Sequence, residues 1–356
     1  MHFEDGEISE EYSRYIRKKT LFIFLVLIAL ILMIITSISL GSVHISFIEV
    51  IKTLFNNPGS RQIELIIWNI RLPQTLTAVV AGAGLASSGA VMQSVLRNPL
   101  ASPFTLGIAH AAAFGAAFSV MILGTGVMAS SLNDALNISN PVITLLSAFF
   151  FSMITAGIIT YISKIRGSSP EIMVLTGIAL GSLFMAGTML LQFFADDVQL
   201  AAMVFWTFGD VARADWKDFW IIFGVTLCLL LYFLANTKNY NAMDMGDETA
   251  KGLGVKVEMV RLSAMMAASL ATSVIISFIG IISFIGLVAP HIVRRVIGDD
   301  QRFLMPASIL VGALILLSAD IVARLVLLPH VLPVSIFTAF LGAPVFIYLI
   351  IKGYRK

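Results

Sequence analysis

Long apolar runs, broken by short charged or Pro/Gly-rich stretches, set the layout of this 356-residue chain. Residues 21–40 read LFIFLVLIALILMIITSISL without a charge, matching the roughly 20 residues a helix needs to cross the hydrocarbon core of a bilayer. Cutting the other runs at charges and Pro/Gly clusters predicts further spans at 76–96, 106–123, 142–162, 172–194, 219–234, 262–279, 281–296, 305–326 and 334–351. A membrane β-barrel would instead alternate polar and apolar positions. The expected fold is all-α: one polytopic membrane domain over 1–356, with about ten transmembrane helices, a polar N-terminal segment at 1–20 and a long hydrophilic connection at 236–261.

Composition narrows the class. The chain is 58% hydrophobic and 12% charged, about half the ~25% charge of ordinary soluble domains, which excludes a water-soluble enzyme. A net charge of +2 offers no basis for nucleic-acid binding. Cys228 is the single cysteine, so no intramolecular disulfide can form. The first apolar run is too long for a signal peptide and lacks a small-residue cleavage site, so it is expected to be retained. With the N-terminus inside, most of the 23 Lys and Arg residues fall on the cytoplasmic side. The positive-inside rule then places both termini in the cytoplasm of a multi-pass protein of the cell membrane.

An internal repeat is suggested by Gly89, Pro99 and Gly107 in one segment and Gly280, Pro290 and Gly298 in another, with the same spacings. It predicts a duplicated half, spans 2–5 matching spans 7–10, a plan common among transporters.

Three functional classes compete: a subunit of an energised transporter, an ion-coupled transporter acting alone, and a membrane-embedded enzyme. Ion coupling calls for ionisable groups near mid-membrane, and the predicted span centres hold none. Asp320 and Arg324, four apart near the outer end of span 9, can form a local ion pair. The histidines are scattered and no HExxH or GxSxG motif occurs, so no catalytic or metal site is assigned. Without a GxxxxGK[ST] loop, ATP could act only through another chain. The connection NTKNYNAMDMGDETAKGLGVKVEMVR predicts a short helix near Asp247 to Leu253, with Asp247 and Glu248 favourable at its positive end and glycines closing it. It suits docking, and equally an ordinary connector.

The run RLPQTLTAVVAGAGLASSGAVMQSVLRNPLASPFTLG from Arg71 resembles the signature of the FecCD family, permease subunits of ABC importers for ferric siderophores, haem and cobalamin. GIISFIGLVAPHIVRRVIGDDQRFLMPASILVGALILLSADIVARL from Gly280 and LPVSIFTAFLGAPVFIYLI from Leu332 are similar to its later signatures. Gly246, Ala250, Leu253 and Gly254 match its G-x3-A-x2-LG coupling segment, and Trp206 and Gly209 its W-x2-G pattern. The resemblance implies a type II ABC importer permease that forms a homodimer in the lipid membrane. It further implies two cytoplasmic ABC ATPase subunits, an extracytoplasmic binding protein that delivers a metal chelate, and no resident cofactor.

It also implies residue roles. Gly246, Asp247, Glu248, Ala250, Leu253 and Gly254 would couple to the ATPase, with Ala250 and Leu253 sharing one helix face. Arg71 and Arg324 would be outward cations that meet the binding protein. Gly177 and Gly181 form a GxxxG pair that permits close helix approach; with Phe337, Phe340 and Leu341 they are expected along the translocation pathway. His110 replaces a small residue of the family pattern and is expected to face the interior or that pathway. His291, beside Pro290, is assigned no chemistry. Two further departures concern the substrate: Gln74 stands where cobalamin permeases carry a second arginine, and Val331 and Ser335 replace an acid and a glycine. An ion-coupled transporter acting alone is the alternative.

Overall fold

The computed structural model describes residues 10–41, 43–55, 59–125, 140–328 and 330–353. The first nine and last three residues lie outside them, the last three including Arg355 and Lys356 of the orientation argument. In chain order the helices are α1 (Glu10–Ser39), α2 (Phe47–Leu54), α3 (Arg61–Leu65), α4 (Leu72–Val95), α5 (Ile108–Met121), α6 (Pro141–Ile165), α7 (Pro170–Phe194) and α8 (Asp197–Thr207). There follow α9 (Trp216–Ala235), α10 (Thr237–Asp244), α11 (Asp247–Gly252), α12 (Val257–Ile279), α13 (Ile285–Ile297), α14 (Gln301–Leu325) and α15 (Val334–Gly353). A π-helical turn, Ile66–Arg71, joins α3 to α4. Among the described residues the only β feature is an isolated bridge between Phe208 and Ile281.

A helix stands at each of the ten predicted span positions, but only seven are long and apolar enough to cross a membrane by themselves. The exceptions are α5, α13 and the described apolar part of α15. Two of these are cut short at their start by backbone that leaves the helical region. Gly107 takes φ +76° before α5, and Phe284 takes φ +67° before α13. Irregular backbone of this kind is tolerated at membrane depth only where protein or a cavity surrounds it.

Helix α4 is the centre of the bundle, packed against α12, α13, α14 and α9. More than half of its residues are Ala, Gly, Ser or Thr, and small side chains let helix backbones approach in the absence of a strong hydrophobic drive. In α7 and α9 most of the helix is exposed and apolar, a face suited to lipid or another copy rather than water.

The Gly/Pro triplets that suggested a sequence repeat do not fall at equivalent places in the helices. Gly89 lies inside α4, whereas Gly280 ends α12; Pro99 lies in a connection, whereas Pro290 lies inside α13. The two runs instead pack on each other. A methyl group on Gly89 would collide with the Gly286 backbone, and Gln93 reaches Arg294 further along. Their small residues and proline serve this shared crossing.

Candidate functional site

The α4–α13 crossing shows how a proline is accommodated inside the bundle. Pro290 has no N–H to donate to the carbonyl four residues back, Gly286. Gln93 of α4 supplies the substitute: its Nε2 donates to Gly286 O at 3.5 Å and Leu287 O at 3.4 Å. Arg294 then donates to Gln93 Oε1 at 3.2 Å and pairs with Asp299 at 2.8 Å. His291 is half-buried on the same helix. Gln93 was not singled out from sequence; an amide lying in register with a proline of another helix was the one available hint.

At one end of the bundle lie the two arginines expected to dock a partner. Both are buried, Arg71 at 4% and Arg324 at 7% exposure, so neither presents the free outward charge anticipated above. Arg71 donates to the carbonyls of Ile38 at 2.7 Å, Ser39 at 2.8 Å and Val43. These include the last carbonyls of α1, which lack helical partners. Arg324 pairs with Asp320 at 2.8 Å and donates to Ser37 Oγ at 2.6 Å. Gln74 donates to Asp320 Oδ1 at 2.9 Å, and Thr75 shares a hydrogen bond with Ser37 at 2.8 Å. This buried network joins α1, α4 and α14. Gln74 acts here as the neutral donor to a carboxylate that Arg324 already balances.

The sequence departure at Ser335 also gains a partner. Gly209 N donates to Ser335 Oγ at 3.0 Å and Ser335 N to Gly209 O at 3.1 Å. The start of α15 is thereby tied to the turn after Trp206, whose carbonyl accepts from Arg213 at 3.1 Å. Partial desolvation lowers the pKa of Arg213 from its usual value even though its side chain stays exposed, and Asp210 opposes that shift.

A cavity of about 460 Å³ opens between α5 and α7. It brings together His110, Gly177 and Gly181, with Phe104, Ser182 and Met185 on its wall. The glycine pair does two jobs. A methyl group on Gly107 would lie 2.6 Å from Gly177 O and 2.8 Å from Gly181 Cα, so α7 approaches the start of α5 at backbone distance. His110 rests against Gly181, 5.4 Å from the Phe104 ring. The three residues expected on α15 do not join them: Phe337 packs partly into the core, while Phe340 and Leu341 are exposed. Among the described residues no three His, Cys, Asp or Glu side chains gather as a metal site.

The opposite end carries the 236–261 connection, which is more structured than a connector. Helix α10 buries Tyr240, Ala242 and Met243 against the bundle. Asp244 at its end accepts from Ser94 at 3.0 Å and Gln301 at 2.9 Å. Helix α11 forms where expected, opened by Gly246 at φ +112° and followed by Gly254 at φ +82°. Its faces differ from expectation. Ala250 is fully buried and Leu253 is 65% exposed, so they do not share an outward face. Val255 N bonds back to Ala250 O at 3.0 Å, and this tight closure turns Leu253 outward. Glu248 is exposed and paired with Lys251 at 3.0 Å.

Arg261, read from sequence as the last cation of a loop, belongs to α12 and is 1% exposed. Its Nη2 pairs with Asp247 Oδ1 at 2.7 Å. Its Nε donates to Val95 O at 2.8 Å and its Nη1 to Ser168 O at 2.7 Å. Composition could not reveal it, because its partners lie up to 166 residues away.

A bundle of membrane-crossing and broken helices around a small-residue core, with an α5–α7 cavity and an exposed short helix at one end, defines a polytopic transport permease. The chain belongs to the FecCD transport family, whose model matches residues 29–352. It is a transport subunit rather than an enzyme, of the kind found in ABC importers. It is 48% identical over 98% of its length to a Methanocaldococcus jannaschii protein assigned as an ABC transporter permease, covering 99% of that protein. It is 35% identical over 92% of its length to the hemin transport permease of Yersinia pestis, covering 94% of it. A solved inward-facing ABC transporter assigned to the metal-chelate type superposes with a TM-score of 0.80 at 28% identity, over 93% of this chain and 98% of that one.

Proposed function

We propose that this chain is the membrane-spanning permease of an ATP-driven importer for a metal chelate, two copies framing the pathway in the cell membrane with ten spans each and both termini in the cytoplasm. Two cytoplasmic ATPase subunits would engage the α10–α11 connection, and an extracytoplasmic binding protein would deliver the chelate at the opposite end. The observation that carries this reading is α11: a short helix that exposes Glu248 and Leu253 while Ala250 and Asp247 hold it to the bundle. A contact surface with an apolar knob on a firmly seated helix suits transmission of force from a partner.

The cavity at His110, Gly177 and Gly181 would form one wall of the pathway, with Phe337, Phe340 and Leu341 contributed where a second copy packs. An apolar wall suffices for a chelate whose metal is already ligated. At the outer end, Arg71 and Arg324 would shape the docking face by holding the end of α1, in place of meeting the partner as free charges. Transport driven by ions alone is less well supported. Asp320, the buried carboxylate most suited to carry a coupling ion, is already engaged by Arg324 and Gln74.

The test is reconstitution of the chain in proteoliposomes, with and without its ATPase subunits. Hemin, ferric citrate, a ferric hydroxamate and cyanocobalamin would be presented with the cognate binding protein. Uptake of one chelate that needs ATP and all three components is expected. Uptake by the chain alone under an ion gradient, indifferent to ATP, would overturn the proposal.

A further inference from the structure

Among the described residues, Arg261 stands apart from the other cations by the spread of its partners. A guanidinium buried this fully persists only when its donors are matched, because an unpaired buried charge is far costlier than a paired one. All three of its bonds are short, and they reach three separate elements: the last turn of α4 through Val95 O, the turn before α7 through Ser168 O, and α11 through Asp247. The planar fork of arginine fixes the relative directions of its bonds in a way a lysine ammonium cannot. One side chain therefore sets the positions of three backbone segments against each other.

The Ser168 arm leads toward the pathway. Ser168 is buried at φ +57°, a region rarely adopted by residues other than glycine, and its N–H is held by Ser163 O at 2.8 Å. The turn therefore presents its carbonyl in one direction. Ser169 and Pro170 follow at once and start α7, the helix that brings Gly177 and Gly181 against His110. A displacement of Ser168 is passed to α7 with no flexible residue between. On the other side, α11 and the start of α7 flank a cavity of about 520 Å³ lined by Arg97, Gly167, Glu171, Asp247 and Arg261. This space leaves the turn room to move with α11 while Arg261 holds both.

We propose that Arg261 is the positioning residue through which movement of α11 reaches the 166–169 turn and α7. The inference rests on the reading of α11 as the ATPase contact and deepens it. The residue touches neither substrate nor nucleotide; it acts by holding Asp247 and Ser168 O on one rigid group.

The experiment uses the complete transporter with its ATPase subunits in nanodiscs, in a Cys228→Ser background. Spin labels at exposed Thr249 and Glu258 report α11 against α12. Labels at exposed Arg166 and Glu258 report the turn against α12. Distances are compared without nucleotide and with ATP and vanadate. In the unsubstituted chain both pairs are expected to shift. In Asp247→Asn the first pair should still shift, while the shifted population of the second falls roughly tenfold, as expected when one charge-assisted hydrogen bond is weakened. Asp247→Glu, which keeps the carboxylate, should restore part of that population. Arg261→Met should abolish the second shift, and if that variant fails to fold the Asp247 pair of variants still decides the matter. A merely structural Arg261 would leave both shifts intact in Asp247→Asn, and that result would overturn the proposal. Absence of a first-pair shift in the unsubstituted chain would instead sink the reading of α11 as the ATPase contact.

Discussion

Ala250 and Leu253 show how one buried methyl and one exposed isobutyl group divide a short helix between two tasks. Arginine at position 250 would have to displace α11 from the bundle, so Ala250→Arg is expected to lower the melting temperature in detergent as well as block ATPase binding. Leu253→Asp changes only an exposed side chain. It should leave melting unchanged and weaken ATPase association by about tenfold to a hundredfold, the effect of withholding a leucine worth ~1.5–3 kcal/mol on burial. Co-purification and thermal unfolding of both variants check this. At the opposite end, removing one partner of a buried pair costs about 3–5 kcal/mol, whereas replacing both with apolar groups is often close to neutral. Asp320→Leu should therefore destabilise the protein more than Asp320→Leu combined with Arg324→Leu. Equal losses in denaturant or thermal unfolding would show that the network to Ser37 and Gln74, rather than the pair, carries the effect.

Helix ends and interruptions decide where the elements meet. Gln93 replaces the hydrogen bond that Pro290 denies to Gly286, so Gln93→Leu leaves that carbonyl unmatched and removes one partner of Arg294. The expected destabilisation is about 1–3 kcal/mol, with a Gln93→Glu variant retaining the Arg294 contact but not the donations to Gly286 and Leu287. Unfolding curves of the two would separate these parts. Helix α14 begins at Asp300, which caps Arg302 N at 3.1 Å, pairs with the Arg302 guanidinium at 2.7 Å and accepts from Asn241 of α10. The Arg302 hydrogen bond, ahead of the other influences, holds the Asp300 carboxyl down at about 2, below its ordinary 3.8. Because the folded pKa is the lower one, this contribution is complete above about pH 4 and disappears as pH falls from 3.8 toward 2. Asp300→Asn should remove that segment of the stability–pH profile, as read by thermal unfolding in detergent between pH 2 and 6.

The molecule as a whole separates a small-residue interior from apolar outer helices. Trp220 on α9 is 60% exposed, whereas Trp206 is 6% exposed beside the α15 junction. In single-tryptophan variants reconstituted in brominated lipid, Trp220 fluorescence should be strongly quenched and Trp206 fluorescence largely spared. Equal quenching would mean that the turn around Trp206 faces lipid. The same division explains why the three short helices sit where they do. Helices α5 and α13 start from backbone that could not be left facing hydrocarbon, and each lies against neighbours that cover it.

Much of this architecture was legible along the chain. Hydropathy alone located every long helix, because the need to satisfy backbone groups in lipid makes apolar length a local property. The bounds of α11 were legible too, since Gly246 and Gly254 supply positive φ and Asp247 and Glu248 favour a helix start. What the tertiary structure alone decided was which way side chains face and which distant groups they meet. Ala250 turned inward, Arg71 and Arg324 went under α1 instead of outward, and two proline-bearing segments proved to pack on each other. Arg261, Gln93 and α10 escaped notice for the same reason. Their roles arise from bonds between segments that only the packed bundle brings within 3.5 Å, and neither local propensity nor hydropathy carries information about such pairings.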